Sequence, residues 1–166
     1  MQPRRQPRRQ PSMSGATKSH YKSKTIAAWV ALLLGSFGLH RLYLYGWRDR
    51  LAWLHPMPTL AGLYGVQRME LLGQDDRLSW LLIPLLGLML VNATLCAIIY
   101  GLKPDEKWDA QHNPGQAGRP NGWGAILAVI ASLLIGGTCL MATIAFSAQR
   151  YFESQVEAEP IKPLGE

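Results

Sequence analysis

The chain has 166 residues and a formal net charge of +6. That length allows one domain or one small bundle, and it excludes a soluble protein large enough to wrap several long uncharged helices. The apolar residues stand in unbroken blocks with the polar residues gathered in tails and connections, which excludes the periodic patterning of an ordinary soluble fold.

Residues 1–24 repeat Pro-Arg-Arg-Gln in tandem and hold Arg4, Arg5, Arg8, Arg9, Lys18, Lys22 and Lys24 without one acid. Proline and like charge oppose packing, so this segment reads as a disordered basic tail. Arg4, Arg5, Arg8, Arg9, Lys22 and Lys24 are the expected contacts to anionic membrane lipids. Nucleic acid is not an expected partner, because the tail lacks interleaved aromatics and abuts an apolar block.

The first apolar block runs uncharged from Thr25 to Leu39 and continues through His40 and Arg41 to Tyr45. A membrane span needs about 20 apolar residues, so a first span is expected over about 25–46. The block is longer than a signal-peptide core and lacks a small-x-small cleavage site, which reads as a retained anchor. Leu51–Val66 is apolar but short and carries Pro56 and Pro58. It reads as a broken interfacial or re-entrant element over 51–72, with a helix from about Thr59 to Leu72. Leu78–Leu102 and Gly122–Ala148 contain no charge and give the second and third spans, over about 78–102 and 122–148. A Pro- and Gly-rich connection separates them. Trp47, Trp80, Tyr100, Trp108, Trp123 and Tyr151 lie at block ends, where aromatic side chains suit the membrane interface. Residues 149–166 form a polar, acidic tail. The fold class is therefore an all-α integral membrane protein: a small helical bundle with three spans plus the short broken helix. The distribution of Lys and Arg places the N-terminus in the cytoplasm whether the spans number three or four, and leaves the side of the C-terminus open.

Small residues recur every four positions in each block, which keeps them on one helix face and lets backbones approach closely. Ala31, Ala97, Gly101, Ala128, Ser132 and Gly136 are the expected packing positions, consistent with a compact bundle or a homo-oligomer. Cys96 and Cys139 both lie inside apolar blocks and read as small apolar helix residues, not a disulfide framework. His20, His40, His55 and His112 have no metal-ligand spacing. Neither a phosphate loop nor a nucleophile elbow is present in the sequence, so no cofactor, metal or catalytic residue is assigned.

Gly35-Ser36-Phe37-Gly38-Leu39-His40-Arg41-Leu42-Tyr43-Leu44, following Lys22-Ser23-Lys24 and an apolar run, resembles the two-transmembrane-helix (TM-two) domain family. Gly35, Phe37, Gly38, His40, Arg41 and Tyr43 carry the resemblance. Leu42 replaces a usual Phe, and Tyr45 is inserted before Gly46. The resemblance covers about residues 22–46 and implies membrane residence without any agreed enzymatic activity. Arg41 admits two roles: an ion pair with Asp49, Asp75 or Asp76, or an interfacial anchor with Tyr43, Tyr45 and Trp47. The functional expectation is a non-enzymatic component of a bacterial inner membrane that contacts lipids or partner membrane proteins. A small transport or permeation subunit is the alternative.

Overall fold

The computed structural model describes residues 20–116, 118, 120 and 122–158. The regular elements among them are all helices: α1 (Lys24–Leu34), one 3-10 turn (Gly35–Phe37), α2 (Leu39–Tyr45), α3 (Arg50–Leu54), α4 (Pro56–Leu72), α5 (Arg77–Leu102), α6 (Asp105–His112) and α7 (Trp123–Ala158). Arg4, Arg5, Arg8 and Arg9, with the lipid contact expected of them, lie outside the described residues, as do residues 159–166 of the acidic tail; residues 149–158 continue α7, and Lys24, expected in the disordered tail, begins α1.

The first apolar block does not form the single span expected over 25–46. α1 stops after 11 residues, a rise of about 16 Å and roughly half the hydrocarbon thickness. Gly38 then adopts φ +78°, a left-handed conformation that glycine takes without a Cβ penalty, and its N–H donates to the Gly35 carbonyl at 2.9 Å. α2 runs back alongside. The Ser23 N–H donates to the Tyr43 hydroxyl at 3.0 Å, and the Lys22 ammonium donates to the Leu44 carbonyl. Both ends of the block therefore meet at one end of the bundle, here the near end. Counting apolar residues measured the block's length but not the reversal built into Gly-Ser-Phe-Gly.

Asp49 caps α3, and His55 joins α3 to α4. α4 has 17 residues and begins at Pro56, not at about Thr59. Pro56 and Pro58 both fall in the first turn, where their missing N–H groups have no intrahelical partner to lose. α4 descends against α5, and Gly62 and Gly65 let the two backbones close up: a Cβ at these positions would come 2.5 and 2.6 Å from the Leu86 and Leu82 side chains. The chain turns at the far end, where Asp76 caps α5 by accepting from the Ser79 N–H at 3.1 Å.

α5 climbs back over 26 residues and α7 descends beside it over 36. Their contact follows a ladder of small residues, with Gly101 facing Val129, Gly136 facing Thr94 and Gly87 facing Thr143. The interior is made mainly of alanine: Ala27, Ala28, Ala31, Ala93, Ala97, Ala125 and Ala128 are buried, while most Leu and Ile side chains point outward. This inverts the pattern of a soluble core and matches helices that pack through small residues within an apolar solvent. α6 folds across the near end. Trp108, expected at the interface, is instead fully enclosed, and its indole N–H donates to the Lys22 carbonyl at 2.8 Å. Tyr100, likewise expected at the interface, packs edge-on against Trp108 with centroids 5.8 Å apart.

Candidate functional site

The residues that carried the family resemblance all lie in the hairpin. Gly35 packs on Ala93, where a Cβ would meet the Ala93 methyl at 2.8 Å. The Ser36 carbonyl accepts from the Thr59 hydroxyl at 2.6 Å, inside the protein. Gly38 lies against the Ala52 carbonyl, and Phe37 is partly exposed at the tip. His40 is 1% exposed and sits between the rings of His55 and Tyr100, at centroid distances of 5.8 and 5.9 Å. Its Nδ1 is buried without a hydrogen-bond partner.

Arg41 forms an ion pair. Its Nε donates to Asp49 Oδ2 at 2.7 Å, and its guanidinium lies 5.2 Å from the Tyr45 ring centroid. Asp76 is engaged elsewhere, accepting from Arg68 Nε at 2.7 Å and Arg68 Nη2 at 3.1 Å, while Asp75 is exposed. Of the aromatics in the anchor reading, Tyr45 lies beside Arg41, while Trp47 is strongly exposed and packs against Trp53 with centroids 5.7 Å apart. The hydrogen bond from Arg41 is the main cause that holds the Asp49 carboxyl below the usual range. Arg68, then Ser79, lower Asp76 further, to about 2.

These two ion pairs belong to one repeated unit that expectation from composition missed. Residues 35–53 and 62–80 align without a gap. Gly35, Gly38, Arg41, Leu44, Gly46, Asp49, Arg50, Leu51 and Trp53 recur as Gly62, Gly65, Arg68, Leu71, Gly73, Asp76, Arg77, Leu78 and Trp80. The geometry repeats with the residues. Gly46 and Gly73 end their helices at φ +80°, ψ −179° and φ +92°, ψ −179°, a region essentially confined to glycine. Asp49 and Asp76 each cap the following helix and each take the preceding arginine. The Trp53 indole donates to the Trp47 carbonyl at 3.1 Å, and the Trp80 indole to the Gln74 carbonyl at 2.7 Å. One copy turns the chain at the near end and the other at the far end, so the copies are inverted. The sequence signal was Arg-x4-Gly-x2-Asp-Arg-Leu-x-Trp occurring twice.

Of the expected packing positions, Ala31, Ala97, Ala128 and Ser132 are at 0% exposure, and Gly101 and Gly136 face α7 and α5 respectively. Lys22 and Lys24, expected on lipid, have partners within the protein. Lys24 is 7% exposed, ion-pairs with Asp105 and donates to the Lys103 carbonyl at 3.0 Å. The Lys22 N–H donates to the Asn113 side-chain carbonyl at 2.8 Å. The reason is α6, which the polar connection concealed. Its signal was Pro104 before Asp105-Glu106, acids in a first turn where they complement the helix dipole. Among the described residues no group of three or more His, Cys, Asp or Glu is placed to hold a metal ion.

Two helices, Arg77–Leu102 and Trp123–Val156, are long and apolar enough to cross a membrane, and only 17% and 28% of their most apolar windows is buried within the protein. Apolar helices that turn outward around an alanine interior define a helical membrane protein. Residues 20–66 match the family model of the TM2 domain, the family that the Gly35–Tyr43 motif resembles. The match spans the whole first copy of the repeat and ends inside the second. No curated protein and no solved structure matches the chain.

Proposed function

We propose that the protein is a non-enzymatic component of a bacterial inner (cytoplasmic) membrane that works by contact with lipids or partner membrane proteins. The carrying observation is how its charges are used. Lys24–Asp105, Arg41–Asp49, Arg68–Asp76 and Arg150–Glu153 are ion pairs, and the first three fix turns and helix ends, which leaves them to hold the fold. The outward surface of α4, α5 and α7 is apolar, with Leu60, Leu81, Leu134 and Met141 each more than half exposed.

In the same reading the chain crosses the membrane three times, through α3–α4, α5 and α7, and the α1–α2 hairpin is re-entrant. The 23 positions from Arg50 to Leu72 would rise about 34 Å as helix, and Trp53, Leu54, Met57, Leu60 and Leu63 on them face outward. The near end gathers Lys22, Lys24, Arg48, Arg50, Lys103 and Lys107, the far end Arg68, Arg77 and Arg150. By the positive-inside rule the near end, with the N-terminus, is cytoplasmic and the end of α7 lies across the membrane.

Single cysteines at Arg48→Cys, Gln74→Cys and Gln155→Cys, in a chain lacking Cys96 and Cys139, test the topology with an impermeant maleimide on intact cells. Positions 74 and 155 should label directly and position 48 only after permeabilisation. Direct labelling at 48 would make the hairpin a full span. A photo-crosslinking residue at Leu134 or Met141 tests the contact reading, which requires lipid or membrane-protein adducts and fails if neither forms.

A further inference from the structure

The repeat supplies an internal control for the residues around His40. Both copies keep the arginine, the helix-ending glycine, the capping aspartate and the tryptophan, and these build the turns at Gly46–Arg50 and Gly73–Arg77. The histidines are not part of that set. Gln67 occupies the position of His40 in the second copy, where it is exposed, and Leu82 occupies that of His55. A buried imidazole is therefore no part of the arginine–glycine–aspartate turn that the two copies share.

We propose that His40 and His55 form a proton-binding latch that docks the α1–α2 hairpin onto α3–α4 and releases it on acidification. The two rings meet edge to face at 5.8 Å and an interplanar angle of 79°. His55 Nδ1 lies 2.6 Å from the Leu51 carbonyl, which can only accept, so the ring proton is on Nδ1 and the lone pair on Nε2. His40 Nδ1 has no partner at all, so the neutral tautomer with the proton on Nε2 leaves a bare lone pair inside the bundle.

Among the charged neighbours of His40 only Asp49 favours a cation there, while Arg41 and His55 act against it. Arg41 on α2 is already charged, and its carboxylate partner, Asp49 in the turn, is shared with the Leu51 N–H. His55 stands at the α3–α4 junction, and α5 contributes only the Tyr100 hydroxyl and the Cys96 thiol, both neutral. Uptake of one proton from water at the His40 lone pair turns a buried neutral ring into a cation beside Arg41, and the nearest carboxylate, Asp49, is already engaged by Arg41. The charge is relieved when the hairpin lifts and the ring reaches water. The latch is thus closed at neutral pH and opens as pH falls. The inference concerns the hairpin alone and stands apart from what the protein contacts.

The test places spin labels at Tyr45→Cys and Gln111→Cys, across α2 and α6, in the full-length chain without Cys96 and Cys139, in vesicles of neutral lipid. A second pair at Leu71→Cys and Leu78→Cys brackets the far-end turn. Between about pH 7 and about pH 4 the near pair should lose its short-distance population while the far pair keeps its own. His40→Gln, which installs the residue of the second copy, and His55→Gln should each abolish the change while retaining helicity at neutral pH. Ring-nitrogen shifts of the unsubstituted chain follow the protonation without any variant. An unchanged near pair, an equal loss in both histidine variants, or rings that stay neutral while the pair separates would each overturn the latch.

Discussion

A substitution at Gly38 separates the hairpin from a continuous span by the sign of its effect. In a straight helix over 25–46, replacing an interior glycine with alanine would stabilise by up to about 1 kcal/mol through helix propensity. In the hairpin two costs oppose it. The left-handed backbone at φ +78° costs an L-residue about 1–2 kcal/mol. The added methyl would also come 2.5 Å from the Ala52 carbonyl oxygen and 3.0 Å from the His55 Cβ. Backbone oxygen cannot step aside as a side-chain tip can, so overpacking adds about 1–3 kcal/mol. Gly38→Ala should therefore destabilise by about 2–5 kcal/mol. Gly137→Ala is the matched control, since nothing lies within 4 Å of its Cβ position and helix propensity alone acts there. Thermal or denaturant unfolding of purified protein in one detergent, followed by circular dichroism, gives both values. Gly38→Ala as stable as the parent, or more stable, would refute the reversal at Gly38.

The two arginine clamps should couple only within their own copies: in double-mutant cycles, Arg41→Lys is non-additive with Asp49→Asn and additive with Asp76→Asn. Asp76, lowered to about 2 from an ordinary 3.8, contributes stability that is complete above its unfolded value and lost as pH falls from about 4 towards 2. Acid unfolding of Asp76→Asn should lack that step, and an identical acid profile would count against the clamp. Gly136→Leu should drive α7 from α5, because even a Cβ at 136 clashes with the Thr94 side chain; an unchanged melting curve and particle size in detergent would contradict that contact.

Length and composition were enough to read α5 and α7, because an uncharged run longer than the hydrocarbon thickness has few other solutions. The small-residue stripes were legible for the same reason: a four-residue period survives whatever the helix packs against. The first block was harder, since apolar content is equal in a span and in a hairpin of two shorter helices. Gly38's backbone angle and the Ser23–Tyr43, Lys22–Leu44 and Thr59–Ser36 bonds distinguish them, and these bonds join residues 20 or more apart in the chain. Lys22 and Lys24 were read as lipid contacts because α6 is a polar helix with no apolar period to announce that it docks beside them. Asp49 stood among three candidate partners for Arg41. The repeat would have selected it, since Arg41–Asp49 and Arg68–Asp76 share one spacing.

The same pair of glycines is used in two ways, and the contrast identifies what makes the hairpin turn. Gly62 and Gly65 stay helical inside α4 and let it close on α5, whereas Gly35 and Gly38 bracket a reversal. The glycines permit the turn but do not dictate it. In a continuing helix the Ser36 carbonyl would accept from the N–H of residue 40. In the hairpin that carbonyl is taken by the Thr59 hydroxyl at 2.6 Å, and Thr59 is 1% exposed. Leu63, the counterpart of Ser36, has no such competitor because the helix carries on through it. Thr59→Val keeps the shape and removes the donor. It leaves a buried carbonyl unsatisfied at a cost of about 1–3 kcal/mol and should loosen the hairpin specifically, raising amide exchange in α2 while α4 and α5 keep their protection. Thr59→Ser retains the hydroxyl and should behave close to the parent. Uniform loss of protection across all helices, or none in α2, would show that the turn is held by its glycines alone.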